Sequence, residues 1–459
     1  MPYKKSFLVG LFPVFIFASF LITGSSFASG YQTVDTASAL DSSFSAGYTQ
    51  RAFAESFHRE LDAPLELEKS LEGWQISKGF NFSTTYDSNI FLTRKNHNAD
   101  MIFAYTPSVS VEHKTDIGTL GLGYDLSYVD YTDNDDLDRF NHSINTILGL
   151  NLNRSGKRLK IDFSNNFKPD TAYLTGERNE LRSGEAARVI TYSDNANLKV
   201  SYDLSPKTTA FYGQGFTLYY FPKSENSTKV NSLSSTTYIF NPGFSYKLTP
   251  KIGWTGEYTY ELANYFEKGG NFDSGTHIWG TSLTGRITPK TNASVGVGYR
   301  VRNYQQPEIT GDDDIELNVA LSQKLTEKLS GTVWGTRSLG ENFDIEQAAS
   351  VNELKHFIGA NLTWSVTPKI SLDSSSSIGF AQRDNFVTFA DLENGTTTAL
   401  KFDTRALESQ FYEASLGLNW HPRPFLAVFL GYKYYDKNST FRQFEYSDHK
   451  TVGSLRLKF

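Results

Sequence analysis

Apolar residues alternate with small or polar residues along almost all of the chain after Trp74. Segment 315–322 reads Ile-Glu-Leu-Asn-Val-Ala-Leu-Ser, and segment 412–420 reads Tyr-Glu-Ala-Ser-Leu-Gly-Leu-Asn-Trp. A period of two puts successive side chains on opposite faces of a strand, so each such segment is predicted to be a strand with two different faces. The pattern predicts about 18 strands, with about 16 as the alternative. They are placed at 76–86, 101–114, 118–131, 140–153, 157–168, 189–204, 208–222, 233–248, 252–265, 274–287, 291–303, 313–325, 329–339, 352–366, 370–383, 405–420, 425–436 and 446–459. The alternation is weakest around Gln214 and Trp334.

Short turns and long polar stretches alternate strictly between these strands. The short turns occur at 115–118, 154–157, 205–207, 249–251, 288–290, 326–328, 367–369 and 421–424, and several contain Pro, which favours a tight turn. The long stretches are 87–100, 132–139, 169–188, 223–232, 266–273, 304–312, 340–351, 384–404 and 437–444. This asymmetry is typical of an outer-membrane barrel with periplasmic turns and external loops. The predicted fold is therefore all-β, a transmembrane antiparallel β-barrel of the outer membrane.

The two ends of the chain agree with this prediction. Lys4 and Lys5 precede an apolar stretch that ends in small residues, which predicts a signal peptide over 1–28 cleaved after Ala28; an uncleaved anchor is the alternative. Residues 29–74 are predicted to form a periplasmic arm that is partly helical, either a lightly ordered leader or a docking segment or plug. Residues 75–459 are the predicted barrel. The last strand ends in Phe459, and the barrel insertion machinery is expected to recognise this terminal residue.

The composition and the sequence motifs exclude several other classes of protein and of site. The chain has 459 residues and no Cys, which removes disulfides, thiolate metal sites and Cys nucleophiles. The net charge of −6 leaves no excess of basic side chains that would predict binding to nucleic acid. No Gly-x-Ser-x-Gly, His-Glu-x-x-His or Walker motif is present, so neither an enzyme nor a cofactor site is predicted. The acidic run at 133–138 is interpreted as a solvated loop, with a Ca²⁺ site or a cation bridge to lipopolysaccharide as the alternative.

Aromatic residues and charges then suggest where the lipid and the lumen lie. Trp254, Trp364 and Trp420 near the turns, and Tyr219, Tyr220, Tyr260, Tyr434 and Tyr435 near the loops, are predicted to form two girdles at the headgroups. Strand parity predicts a hydrated, mixed-charge wall in a barrel wide enough for an aqueous lumen. The candidate pore-lining residues are Arg286, Arg300, Arg302, Glu257, Glu261, Glu316, Asp125, Asp373 and Glu413. The external loop 170–188 is expected to fold inward and narrow the pore, or to form a surface flap.

Three short motifs carry a resemblance to a known family. They are the stretch 80–91, Phe-Asn-Phe-Ser-Thr-Thr-Tyr-Asp-Ser-Asn-Ile-Phe, the stretch 106–111, Thr-Pro-Ser-Val-Ser-Val, and the stretch 241–246, Asn-Pro-Gly-Phe-Ser-Tyr. With them, residues 75–459 resemble the beta-barrel porin family that accompanies exopolysaccharide assembly systems in Gram-negative bacteria. The resemblance implies a wide barrel that serves as the outer-membrane exit for a polysaccharide beside a periplasmic polysaccharide export protein.

Two functions remain open at this point. The first is an export conduit for an exopolysaccharide, and the second is a diffusion porin for uptake of sugars, oligosaccharides or other small nutrients. Either protein is expected in the outer membrane of a Gram-negative bacterium after Sec-type export, in contact with outer-membrane lipid and lipopolysaccharide.

Overall fold

The computed structural model describes residues 70–71, 73–91, 94–154, 157–173, 188–220, 234–266, 273–305, 311–344, 349–383, 387–388, 401–402, 407–440 and 445–459. The described residues form an all-β, closed antiparallel barrel of 18 strands, each 13 to 19 residues long. Numbered β1 to β18 in chain order, the strands are Trp74–Asp87, Asp100–Thr115, Gly118–Tyr131, Arg139–Arg154, Lys157–Tyr173, Arg188–Asp203, Thr208–Tyr220, Ser235–Lys247, Ile252–Tyr265, Ser274–Thr288, Thr291–Tyr304, Asp312–Lys324, Leu329–Asp344, Ala349–Thr367, Ile370–Arg383, Leu407–Arg423, Leu426–Ser439 and Tyr446–Lys458.

Every barrel strand pairs with its neighbour in sequence, and β1 pairs with β18 to close the ring. The closing pair runs from Gly79 opposite Lys458 to Asp87 opposite Lys450. Closure removes both sheet edges, so the backbone N–H and C=O groups bond within the ring, as a hydrocarbon environment requires. The predicted barrel and its strand number of about 18 are confirmed, and the alternative of 16 is wrong.

Extra bonds at both ends of the barrel hold the seam between β1 and β18. At the turn end, Phe459 donates a backbone hydrogen bond to Lys78 at 2.7 Å and accepts one from it at 3.1 Å. At the loop end, the Lys450 ammonium lies 2.9 Å from an Asp87 carboxylate oxygen and 3.2 Å from one of Asp448. The first and last strands are thus joined by the ion pair of Lys450 with Asp87 as well as by the β ladder.

Five of the short turns share one side-chain hydrogen bond. After β8, the Thr249 hydroxyl accepts from the backbone N–H groups of Lys251 at 3.2 Å and Ile252 at 3.0 Å. Such a bond closes a turn in the way a backbone carbonyl does. The bond from the lysine N–H to a Ser or Thr hydroxyl recurs in the turns that begin at Ser205, Thr288, Thr326 and Thr367.

Several boundaries differ from the sequence prediction. β13 continues to Asp344 and β14 begins at Ala349, so the connection predicted at 340–351 spans only 345–348. The last turn lies at Pro424 and Phe425 rather than over 421–424, because β16 continues through a bulge between Trp420 and Arg423. The predicted inward loop begins later than expected, since β5 extends to Tyr173, and its residues 174–187 lie outside the described ranges.

The amino-terminal predictions fall largely outside the described residues. The signal peptide and the arm up to residue 69 are not described, so both remain predictions. Residues 70 and 71 pair with Gln75 and Trp74 as a short antiparallel ladder. Trp74 belongs to β1 rather than to the arm, and its ring stacks on His113 of β2 at 4.3 Å.

The outward face of the barrel is apolar and exposed. Trp364 and Trp420, close to the turns, are 47% and 45% exposed, as a girdle at the headgroup level requires. Tyr220, Tyr260 and Tyr434 lie on the same outer face toward the loops. Tyr220 stands opposite the exposed Tyr192, and Tyr434 stands opposite the exposed Ala414. Within the described ranges, no helix is long and apolar enough to span a membrane.

Candidate functional site

The exposure of alternate residues shows which face lines the lumen. In β11, Val295, Val297 and Tyr299 are 45%, 42% and 44% exposed, whereas Arg300 is 1% exposed. The same alternation continues across the pair to β12, where Ile315 and Leu317 are exposed and Glu316 is buried. The exposed apolar side chains face the lipid, so the buried polar set faces the interior. The nine predicted pore-lining residues all have the inward parity.

Five of these residues lie on β9, β11 and β12, with β10 between β9 and β11, and four of the five form one largely buried charge cluster. The Arg300 guanidinium donates from Nε to Glu316 Oε1 at 2.5 Å and from Nη1 to Glu261 Oε2 at 3.3 Å. Arg302, 5% exposed, donates from Nε to the Thr276 hydroxyl at 3.1 Å. Buried charges require such partners because desolvation otherwise disfavours the charged state. The cluster therefore holds part of the wall together and leaves little net field in the lumen.

Glu257 is the fifth residue of that region and lies outside the cluster. It and the predicted pore-lining residues Asp125, Asp373 and Glu413 each form a separate polar contact. Glu257 accepts from the Asn241 amide at 3.2 Å, and Asp125 accepts from Asn145 at 3.5 Å. Asp373 accepts from the Asn419 amide at 2.6 Å, and Glu413 forms an ion pair of 2.5 Å with Lys433. The sequence predicted that these carboxylates face inward but not that each has a partner on a neighbouring strand, because the partner depends on the register.

Arg286 stands apart from the cluster. It lies near the turn end of β10, beside a bulge that separates Arg286 from Thr288. Its backbone N–H donates to the Lys251 carbonyl of the preceding turn at 2.9 Å. Arg286 is exposed, whereas Arg300 and Arg302 are buried, so the structure does not bring the three predicted arginines into one group.

A row of aromatic rings on the inner face was missed by the sequence reading. Phe357 of β14 and Phe411 of β16 lie 6.0 Å apart between ring centroids, and Phe411 lies 6.3 Å from Tyr435 of β17. Tyr435 stacks on Tyr446 of β18 at 5.5 Å, and the Lys437 ammonium lies 5.6 Å from the Phe411 ring centroid. The placement of Tyr435 in the lipid girdle was therefore wrong, because Tyr435 stands opposite the inward Glu413. Strand parity alone would have shown this, since Tyr435 shares the parity of Lys433. Tyr219, opposite the buried Ser193, is corrected in the same way.

Glycines on neighbouring strands make room for several inward rings. The Phe357 ring lies where a side chain at Gly379 would be, with its Cε1 atom 2.2 Å from the position of the missing Cβ. The Phe211 ring covers Gly243 in the same way, at 2.3 Å from Cζ. The blurred alternation around Gln214 has this origin: in β7 the aromatic Phe211 faces inward, while Gln214 has the parity of the lipid face.

The acidic loop after β3 acts as a structural connection. The Asp138 carboxylate accepts from the Tyr131 N–H at 2.7 Å, and Asp100 accepts from Asp133 N–H at 3.2 Å and from the Asn134 amide at 2.7 Å. In the part of the chain that the structure describes, no group of three or more His, Asp or Glu side chains could hold a metal ion. These contacts give the loop the role of a folded cap on β2 and β3.

Comparison with known proteins finds similarity in structure only. No protein-family model and no curated protein matches the sequence. Among solved structures, the chain is similar to OpdQ of Pseudomonas aeruginosa, with 14% identity over 85% of this chain and 99% of the other and a TM-score of 0.44. It is similar to the outer membrane channel DcaP of Acinetobacter baumannii, with 12% identity, the same coverage and a TM-score of 0.44.

A third similar structure is the FrpB iron transporter of Neisseria meningitidis, with 10% identity over 79% of this chain and a TM-score of 0.44. The chain spans only 62% of that transporter. The strand pairing and the apolar outer face described above are those of a transmembrane β-barrel.

Proposed function

We propose that this barrel is the outer-membrane exit channel for an exported exopolysaccharide and that it performs no chemistry. The observation that carries the proposal is the pairing of charges on the inner wall. Arg300 is held by Glu316 and Glu261, and Lys433 is held by Glu413. Such a wall attracts no single ion strongly, so it suits a bulky, hydroxyl-rich solute.

Hydroxyl groups fill much of the remaining wall. On the inner face of β15 and β16, the Ser375 and Ser415 hydroxyls bond at 2.5 Å, and Ser371, Ser377 and Ser409 share that face. A polymer that moves through the channel must exchange its contacts at every step. Many weak hydrogen bonds allow this movement better than one tight site. The resemblance of residues 75–459 to exopolysaccharide-associated porins supports the outward direction.

The partners follow from this proposal. A periplasmic polysaccharide export protein would deliver the polymer to the turn end, where both termini of the barrel lie. The strand that ends in Phe459 would present itself to the insertion machinery, and the aromatic girdles would contact outer-membrane lipid and lipopolysaccharide.

An uptake porin for sugars or other small nutrients is the second candidate. The specific observation that favours it is the aromatic row near the loop end of the lumen, where the half-buried rings of Tyr435 and Tyr446 stack beside the buried Phe411. Aromatic rings bind the apolar faces of sugar rings, so a solute arriving from outside would meet a stacking surface first.

Gene deletion and complementation distinguish the two candidates. For export, deletion should abolish surface polysaccharide and leave uptake of small sugars normal, and the wild-type gene should restore the polysaccharide. If surface polysaccharide persists and growth on an oligosaccharide fails instead, the uptake porin replaces the export channel.

The channel itself can be tested in planar bilayers with a matched pair of variants. Ser375→Cys places a thiol on the inner wall, and Ser376→Cys places one on the lipid face of the same strand. Attachment of a maleimide polyethylene glycol should lower the conductance of the first variant and leave the second unchanged. Equal conductance for both conjugates would argue against an open lumen.

A further inference from the structure

A basic cavity lies on the inner wall at the turn end of β8 to β12. Its volume is about 450 Å³, which falls within the usual range for small-ligand sites. Lys247, Lys251 and Arg286 supply three cationic side chains, and Thr284, Asn292 and Ser294 add hydroxyl and amide groups. None of its lining residues is acidic. The cavity therefore differs in charge from the neutralised wall above it.

The three cations are available to a ligand. In contrast to Arg300, none of them forms an ion pair with a carboxylate among the described residues. Lys251 and Arg286 are exposed, and the one bond that the Lys247 ammonium donates within the described residues is long, 3.4 Å to the Pro206 carbonyl. An ammonium carries three donors and a guanidinium five, so most of their donors point to no acceptor in the part of the protein that the structure describes.

A close backbone contact fixes the position of these residues. Arg286 N–H donates to the Lys251 carbonyl at 2.9 Å, which brings the turn 248–251 against β10. Gly285 permits the approach, because a Cβ there would lie 2.5 Å from the Lys251 carbonyl oxygen and 2.9 Å from Ile252 Cα. Both contacts are to backbone atoms that cannot rotate away. Lys251 and Arg286 are thus held side by side at the entrance to the lumen.

We propose that this cavity binds the carboxylate of an acidic sugar unit as a polysaccharide enters the lumen from the turn side. The inference rests on the proposed export function and specifies its substrate class as an acidic polysaccharide. A guanidinium and two ammonium groups match a carboxylate by charge-assisted hydrogen bonds, and the neighbouring hydroxyl and amide groups match sugar hydroxyls. Because the cavity opens to the lumen, each unit can leave as the next one arrives.

Other lysines around the same rim support this reading. All of them are exposed and occupy the same position in their turns as Lys251 does in its own. They are Lys207, Lys290, Lys328 and Lys369. With Lys251, these lysines mark five consecutive turns, with Glu327 as the acidic neighbour of Lys328. Such an excess of positive charge raises the local concentration of a polyanion and increases its rate of association. The rim would thus collect the polymer, and the cavity would bind its first unit.

Current block in planar bilayers tests the cavity. Oligogalacturonate added on the turn side should interrupt the current of the wild-type barrel, and a neutral malto-oligosaccharide of the same length should not. The triple variant Lys247→Gln, Lys251→Gln, Arg286→Gln should weaken the block about tenfold, or about 1.4 kcal/mol. Arg286→Gln alone should weaken it in the same direction if the triple variant does not fold.

The matched control is Lys207→Gln with Lys369→Gln, which removes rim charges outside the cavity. It should slow the onset of block and leave the lifetime of each blocked event unchanged. Blocked events shortened as much in the control as in the triple variant, or an undiminished block in the triple variant, would overturn the cavity assignment. Inorganic phosphate that blocks as strongly as oligogalacturonate would overturn the sugar polymer as the ligand. Because these measurements use purified barrel, they are independent of the deletion experiment that tests export.

Discussion

At the scale of single residues, the inner wall is organised by diagonal contacts across strands. Arg300 stands directly opposite Asp314 in the ladder, but its guanidinium bonds Glu316, whose direct neighbour is Gly298. Glycine at 298 leaves that diagonal path open. The ion pair is only 1% and 3% exposed, so its two charges depend on each other more than a surface pair would.

The first prediction concerns this pair. Glu316→Gln removes a buried negative charge from Arg300 and should lower the free energy of unfolding by about 3 kcal/mol. The measurement is a urea titration of the barrel in detergent, followed by tryptophan fluorescence. Asp162→Asn is the matched control, since its partner Lys160 lies at 2.8 Å but the two side chains are 54% and 39% exposed. That change should lower the free energy of unfolding by less than about 1 kcal/mol. Equal losses in the two variants would show that the buried pair of Arg300 with Glu316 contributes no more stability than an exposed pair.

At the scale of secondary structure elements, inward rings interlock neighbouring strands. The Phe211 ring of β7 covers Gly243 of β8, and the Trp334 ring of β13 covers Gly359 of β14 at 2.5 Å from the missing Cβ. The rings fill space that the glycines leave and cover their backbone. Each strand pair is thereby packed on its inner face as well as hydrogen-bonded.

The second prediction tests this interlock. Gly243→Ala would place a Cβ 2.3 Å from the Phe211 ring and 2.8 Å from the Gly256 carbonyl oxygen, so the ring must move. Overpacking of this kind should lower the free energy of unfolding by about 2 kcal/mol. The measurement is the temperature at which the folded barrel loses its fast migration on an SDS gel, which should fall. Gly149→Ala is the control, because its Cβ would meet nothing closer than Asp162 at 3.7 Å. A shift of the same size in both variants would contradict the interlock.

At the scale of the whole molecule, an even number of strands puts both termini of the barrel at one end. Trp74 and Phe459 lie at the end of the short turns, and the long connections lie at the other end. Basic side chains such as Lys207, Lys251 and Lys369 mark the turn end. We therefore expect the turn end to face the periplasm and the long connections to face the medium.

The third prediction is the topology. Cys substituted at Asn271 or Lys401 should react with an impermeant thiol reagent on whole cells, whereas Cys at Lys251 should react only after the outer membrane is opened. The wild-type chain has no Cys, so its background labelling should be nil. Reaction at residue 251 on intact cells, with none at 271 or 401, would reverse the orientation.

The sequence by itself determined the strands, the turns and the two faces of the wall. β3, β9 and β15 begin and end where the alternation placed them, because a period of two and the short turns are encoded by adjacent residues. The inward parity of Arg286, Arg300 and Glu316 followed from the same local rule. A single shift of one residue would have put every side chain of a strand on the wrong face.

Only the tertiary structure decided which inward residues meet. The pairing of β1 with β18 joins segments at opposite ends of the barrel sequence, and no local pattern specifies it. The partner of Arg300, the ring of Phe211 over Gly243 and the grouping of Lys247, Lys251 and Arg286 all depend on the stagger between strands. Stagger is set when the sheet closes into a ring, because closure links strand number, tilt and register in one geometry.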